Sequence, residues 1–380
     1  MRKANNLNFI PRHSTNLRLL QAGTFVALLG CVVMGSALLY RGGATTATIA
    51  DTLATPSPTI VPHVTTQPRA VSENKIRVAA LGISSDEIRY FEEGTGKAFS
   101  VNVRTQKTTS VSSEKILGFQ GALWIPQAQQ SLYSVQTPKG TQWYHRNYTR
   151  PTAERMSSEF TGATASPNGK SIAYFTPSDD GSVLRIADSS GENGATILAT
   201  RTESAVVQWI DDSTLALLTQ RPDRPGRDLS LVDQRGKITT ILTNRENLET
   251  TWSPDGTQAL ISYFTPETGI SLWHYRISSG ESTPLAIETS AAKCAWATDS
   301  MSITCGVPMQ NTLTRDVPAD RTATVDHIET LDFTSGERTR NYTGVQGTLL
   351  GVTAPLMSSS GDYFVFTNMF DSRLYALPLH

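Results

Sequence analysis

The sequence predicts an all-β fold, a β-propeller of about seven four-stranded blades, and three observations predict it. First, four of the six tryptophans, Trp124, Trp209, Trp252 and Trp296, fall in one register, separated by 85, 43 and 44 residues, with Ala165 midway across the wide gap. Second, each position closes an apolar strand and precedes a four-residue turn and a second apolar strand, most clearly in Trp252-Ser253-Pro254-Asp255-Gly256 running into Ala259-Leu260-Ile261. Third, a strand ending in a glycine turn and a short fourth strand complete the unit, as in Leu231 to Gly236 followed by Thr240-Ile241-Leu242. A period of about 40–45 residues with several short strands per unit is the mark of propeller blades.

The elements before the repeats separate by composition. Residues 1–18 are basic, with Arg2, Lys3, Arg12 and Arg18 and no acidic residue. Leu19 to Tyr40 is a run of 22 residues without a charge, long enough as a helix to span a hydrocarbon core of ~30 Å. The basic residues before it leave the N-terminus cytoplasmic and the rest of the chain outside. A cleaved signal peptide and a lipoprotein box at Cys31 are the rival readings. Val32, Val33, Met34, Leu38 and Leu39 carry the run past the cysteine, which favours a retained anchor. Residues 41–73, rich in Thr, Ala and Pro with Pro56, Pro58, Pro62 and Pro68, read as a disordered, partly polyproline linker.

The propeller occupies 74–380. Its strand-closing positions are Ile83, Trp124, Ala165, Trp209, Trp252, Trp296 and Met357, spaced 41, 41, 44, 43, 44 and 61 residues. Pro, Asp or Asn, and Gly suit successive places of the turns that follow. Seven blades fit best, with six or eight as the alternatives. The seventh repeat ends after its third strand, Leu374-Tyr375-Ala376-Leu377. An unpaired edge invites aggregation, so Thr59–Val64 or Ile76–Ala79 is expected to close it; the second choice would cost the first blade its inner strand.

The Trp-Ser-Pro-Asp-Gly turn between apolar strands resembles the WD40-like PD40 repeat of TolB-type propellers, over about residues 74–380. The third and fifth turns match that motif most closely, and no Trp-Asp dipeptide occurs. The resemblance implies the propeller fold.

Function is less legible, because one propeller carries many unrelated functions. A net charge of −1 gives no basic footprint for nucleic acid. No Gly-x-Ser-x-Gly elbow is present, and Gly94-Thr95-Gly96-Lys97 lacks phosphate-loop spacing. His63, His145, His274 and His327 stand singly, His274 as a packed or surface residue of an apolar strand. Asp179-Asp180-Gly181 lacks the rest of a calcium loop. No cofactor or metal is expected.

Cys294 and Cys305 flank the sixth turn. If Thr298–Met301 forms the loop, they face each other, and the reading is divided between a disulfide and two buried thiols. Second-to-third-strand loops share one rim, and two are enlarged: Gln220–Asp228, with Arg221, Arg224 and Arg227, and Val307–Asp326, with Arg315, Asp316 and Arg321. Long loops on a rigid scaffold are where binding concentrates. Asn147 and Asn341 head glycosylation sequons. The leading expectation is a membrane-anchored, extracytoplasmic module that binds envelope or surface proteins, or a surface polymer, as an interaction or scaffolding unit. The alternatives are a hydrolase or lyase working in the central channel and a purely structural envelope subunit.

Overall fold

The computed structural model describes residues 60–62 and 67–379, apart from 157–160, 203–204, 222, 311–321 and 345–348. Seven sheets follow one another along the chain. Blades one to five run over 76–112, 119–155, 161–200, 205–245 and 249–284, and blades six and seven over 294–342 and 352–378. The first strands of neighbouring blades approach one another, which makes them the inner strands of a ring. Among the described residues no helix is long and apolar enough to cross a membrane; the span read over 19–40 lies outside them.

Second strands are buried over runs of four or more residues, and in blades three and four those runs are wholly apolar, because each blade is packed on both faces. Ile172, Ala173, Tyr174 and Phe175 are all buried, as are Leu215, Ala216, Leu217 and Leu218. The tryptophan register is an inter-blade joint. Trp296 Nε1 donates to the Thr251 carbonyl at 3.1 Å, and Trp209 Nε1 to the Thr164 carbonyl at 3.3 Å. Trp252 Nε1 donates to Gln208 Oε1 at 3.0 Å. Each acceptor residue immediately precedes the closing position of the blade before.

The turns that follow have the expected chemistry. Gly256 N–H donates to the Ser253 carbonyl and Gly169 N–H to that of Ser166, both at 2.9 Å. Gly169 has φ 67°, and a Cβ there would come within 2.0 Å of the Pro126 carbonyl oxygen in the preceding blade's turn. Only glycine meets both demands.

Two expectations are corrected. In blade one the closing position is Leu81, not Ile83. Gly82 N–H donates to the Glu87 carbonyl at 2.7 Å, as Ser253 N–H does to that of Gln258 at 2.9 Å. Ile83 lies beyond the strand Ile76–Leu81 and is 50% exposed. The second correction concerns closure. Neither Thr59–Val64 nor Ile76–Ala79 completes blade seven; Arg69–Ala70 does, antiparallel to Leu374–Pro378. Ile76–Leu81 stays the inner strand of blade one, so the count remains seven. Ile60–Pro62 instead lies parallel to Arg338–Arg340 as a fifth strand on blade six.

The segment read as a linker over 41–73 therefore contains two strands. The physical reason is the open edge of blade seven, which Ser72 helps to close. The Ser72 hydroxyl accepts from Leu374 N–H at 2.9 Å, and its carbonyl accepts from the Arg373 guanidinium at 2.8 Å. At the same seam Arg104 bridges Asp86 of blade one and Asp362 of blade seven.

Candidate functional site

Strands alternate direction, so the second-to-third-strand loops emerge together on one rim. Six residues, 221–226, join Gln220 to Arg227 in blade four, against five, 93–97, in blade one. Seventeen residues, 309–325, separate Pro308 from Asp326 in blade six. The insertion is thus concentrated in blade six. Arg221 and Arg224 both turn to Asp223, at 3.2 and 3.7 Å. Exposed pairs of this kind hold little energy but keep the guanidinium groups at the surface. Arg227 is not a loop residue: it opens the third strand, opposite Gln220. Arg315, Asp316 and Arg321 lie outside the described residues.

The return of the blade-six loop is clamped from beneath. Lys293, at the entry to the inner strand, is buried and places Nζ 2.5 Å from Asp326 Oδ2 and from Thr324 Oγ1. Asp326 also accepts from Thr324 Oγ1 and from Val352 N–H, each at 2.7 Å. Burial lowers the Lys293 ammonium pKa and Asp326 opposes it. Beside this pair Ser290 hydrogen-bonds Glu249, at the start of blade five's inner strand.

Blade six carries a second buried charge. Glu329 accepts from His327 Nε2 at 2.7 Å and from Arg340 Nε at 3.1 Å, and it pairs with Arg338. Burial pushes its carboxyl pKa up, but hydrogen bonds from His327, Arg340 and Arg338 outweigh burial and hold it at about 2. Cys305 stands opposite Glu329 on one side and Cys294 on the other. The two sulfurs are bonded at 2.10 Å, with Cα atoms 4.1 Å apart.

His274 is packed. Its Nε2–H donates to Gln258 Oε1 at 2.6 Å, and its ring stacks on Phe333 at 4.3 Å. His145 repeats the arrangement on Gln130 at 3.1 Å. Among the described residues no group of three or more His, Cys, Asp or Glu could hold a metal ion. The two sequons differ. Asn341 is 6% exposed and its Nδ2 donates to Thr330 Oγ1 at 2.7 Å. Asn147 Oδ1 accepts from Thr149 N–H and Oγ1–H in a surface turn.

One further pair of features was missed in the sequence. The residue preceding each closing position pairs across the sheet with Arg89, Leu132, Ala173, Ala216, Leu260, Thr304 or Val365. All seven are buried, and five are aliphatic. The exceptions mark two clefts. Arg89 borders one of about 370 Å³ between blades one and two, and Thr304 one of about 390 Å³ between blades six and seven. Arg89 donates from its terminal nitrogens to the carbonyls of Ala128 (2.6 Å) and Leu81 (3.4 Å), with its guanidinium 4.9 Å from the centre of the Trp124 ring and its Nε buried without a partner. That is a structural tie between blades. Aligning the second strands on their turns would have exposed both departures.

These features define the class of protein as a seven-bladed β-propeller with one inserted loop. No family model matches the chain, and no curated protein does. Solved structures do. An oligogalacturonate lyase in complex with manganese superposes with a TM-score of 0.57 at 13% identity, covering 82% of this chain and 93% of that one. The Cps50 (Swd1) propeller domain of Myceliophteria thermophila gives 0.53 at 9% identity, covering 83% and 100%. TolB from Agrobacterium tumefaciens gives 0.47 at 14% identity, covering 78% and 99%. The likeness is one of fold.

Proposed function

We propose that this chain is an extracytoplasmic binding module of the PD40 type. One membrane-spanning helix carries it, the N-terminus is cytoplasmic, and the rim of second-to-third-strand loops engages an envelope or surface partner. The observation that carries this reading is the foot of the 309–325 loop. A buried ion pair, Lys293–Asp326, holds the return of the one long insertion in the repeat, and burying two charges to position a drifting loop would be a poor bargain. Arg221 and Arg224, on the blade-four loop of the same rim, face solvent and suit a partner's carboxylates.

A photo-crosslinking residue placed at Arg224 of the full chain should give discrete adducts in the cell envelope. Lys237, exposed on the opposite rim of the same blade, should give none. Charge reversal of Arg221 and Arg227 in that same variant should abolish the adducts. Equal adducts from both rims would sink the rim assignment.

The second reading, a hydrolase or lyase at the central channel, draws on Glu249, which opens the inner strand of blade five, and on Ser290, which caps the short turn leading into the inner strand of blade six. Turnover of an envelope polymer that Glu249→Gln removes would favour it over the binding module.

A further inference from the structure

We propose that the cleft between blades six and seven binds a neutral saccharide. It opens among the first-to-second-strand turns, beside Thr298 and Ser360, on the rim opposite the one assigned above, so the two sites stand or fall separately. One wall is the face of blade six. There Asn341 Nδ2–H donates to Thr330 Oγ1 at 2.7 Å, and Thr330 and Thr304 share a hydroxyl bond of 2.8 Å. Thr339, directly across from Thr330, extends the row. Asn341 is nine-tenths buried, and its Oδ1 reaches no donor among the described residues. Nor does the Thr339 hydroxyl have a partner among them. The row therefore ends in unused donors and acceptors turned to a space of about 390 Å³, a size typical of small-molecule sites.

The opposite wall is apolar, with Met357 and Leu379. Hydroxyls and an amide facing aliphatic carbon match a ring that has hydroxyls at its edge and C–H bonds on its face. A peptide fits less well, because the cleft presents the face of a sheet and offers no strand edge for backbone pairing. An anion is disfavoured, since Asp299 is the charged side chain at the mouth and no cation lines the wall. The position also breaks the repeat. Thr304 stands where five blades bury an aliphatic residue, which would fill the cleft with hydrocarbon.

The test is saturation-transfer NMR on the full chain with cellobiose and N,N′-diacetylchitobiose, and with digalacturonate as the charged counterpart. At least one neutral disaccharide should receive saturation with a dissociation constant of about 1 mM or lower. Thr339→Val should weaken it about 10-fold, as should Thr330→Val, with the thermal midpoint of Thr339→Val unchanged. Transfer to neither neutral disaccharide would overturn the proposal. So would undiminished binding by Thr339→Val, or transfer to digalacturonate alone.

Discussion

Trp296 Nε1 lies 3.1 Å from the carbonyl oxygen of Thr251, one residue before Trp252, so the tryptophan that closes blade six is hydrogen-bonded to the closing segment of blade five. At blades four, five and six the period is therefore a chain of joints, each of these blades bonded through its indole to the one before it. Trp→Phe variants should rank by what they orphan. Trp296→Phe leaves the Thr251 carbonyl without its indole donor and should cost about 1–3 kcal/mol in denaturant titrations. Trp252→Phe should cost less, because Gln208 Oε1 keeps the Thr250 hydroxyl at 2.6 Å. Trp124→Phe should cost least in hydrogen bonding, since Trp124 Nε1 is buried without a partner. An equal loss at all three would show that ring volume alone matters.

Acid should attack blade six first. Glu329 holds a pKa of about 2 against an ordinary 4.5. Its folded value is depressed, so its stabilisation is complete above pH 4.5 and is lost as pH falls toward 2. Unfolding midpoints followed from pH 5 to 3 should fall steeply in the parent chain and more gently in Glu329→Gln, which no longer titrates. Parallel slopes would exclude Glu329 as the acid-sensitive group.

How much of this was legible follows from what repeats. The tryptophan register, the turn residues and the Cys294–Cys305 alignment are local or periodic, and a single pass along the chain finds them. Arg69–Ala70 was not legible. A two-residue strand inside a Pro- and Thr-rich stretch has no pattern of its own, and only the open edge of blade seven, some 300 residues on, gives it a partner. Glu329 and Arg340 pair across a β-bulge, which displaces the register that alternation alone would assign. Arg89 and Thr304 were legible in principle, since both are polar at a place where Leu132, Ala173, Ala216, Leu260 and Val365 are aliphatic. The signal appears only when the second strands are stacked on one another rather than read along the chain.

Two histidines should make stability rise with pH. His145 and His274 occupy equivalent third-strand positions, opposite Leu132 and Leu260. Burial lowers both pKa values; Glu154 opposes that at His145, and Arg276 adds to it at His274. With the folded value depressed, the neutral ring favours the folded state. Its contribution is whole above the ordinary value of 6.5 and declines as pH drops below it. Each proton adds a slope of up to about 1.4 kcal/mol per pH unit. His274→Gln should flatten the profile between pH 6.5 and 5. An unchanged profile would mean that His274 protonates freely in the native protein.

The disulfide closes a short loop, Cys294 and Cys305 being 11 residues apart, with both side chains buried. Constraint of the unfolded chain over such a loop amounts to about 2–3 kcal/mol. Intact mass of the denatured, unreduced chain should show one alkylatable thiol, Cys31, and three after reduction. Three from the outset would mean that the pair is not bonded. Cys294→Ala with Cys305→Ala should lower the unfolding midpoint and leave rim adducts from Arg224 in place, because the bond lies within the blade.

The Lys293–Asp326 pair connects stability to the proposed binding rim. Lys293→Met removes the cation and leaves a buried carboxylate with only the Thr324 hydroxyl and Val352 N–H to solvate it. Breaking a buried pair in this way costs on the order of 3–5 kcal/mol. Replacing both partners, Lys293→Met with Asp326→Asn, removes the orphaned charge and should recover much of that loss, a coupling a double-mutant cycle measures directly. A merely stabilising pair would end there. If it positions the loop, the double variant should be nearly as stable as the parent yet be cleaved faster within 309–325 under limited proteolysis, and should crosslink less from the blade-six loop. Recovered stability with parental cleavage and crosslinking would show that Asp326 anchors the strand without directing the loop above it.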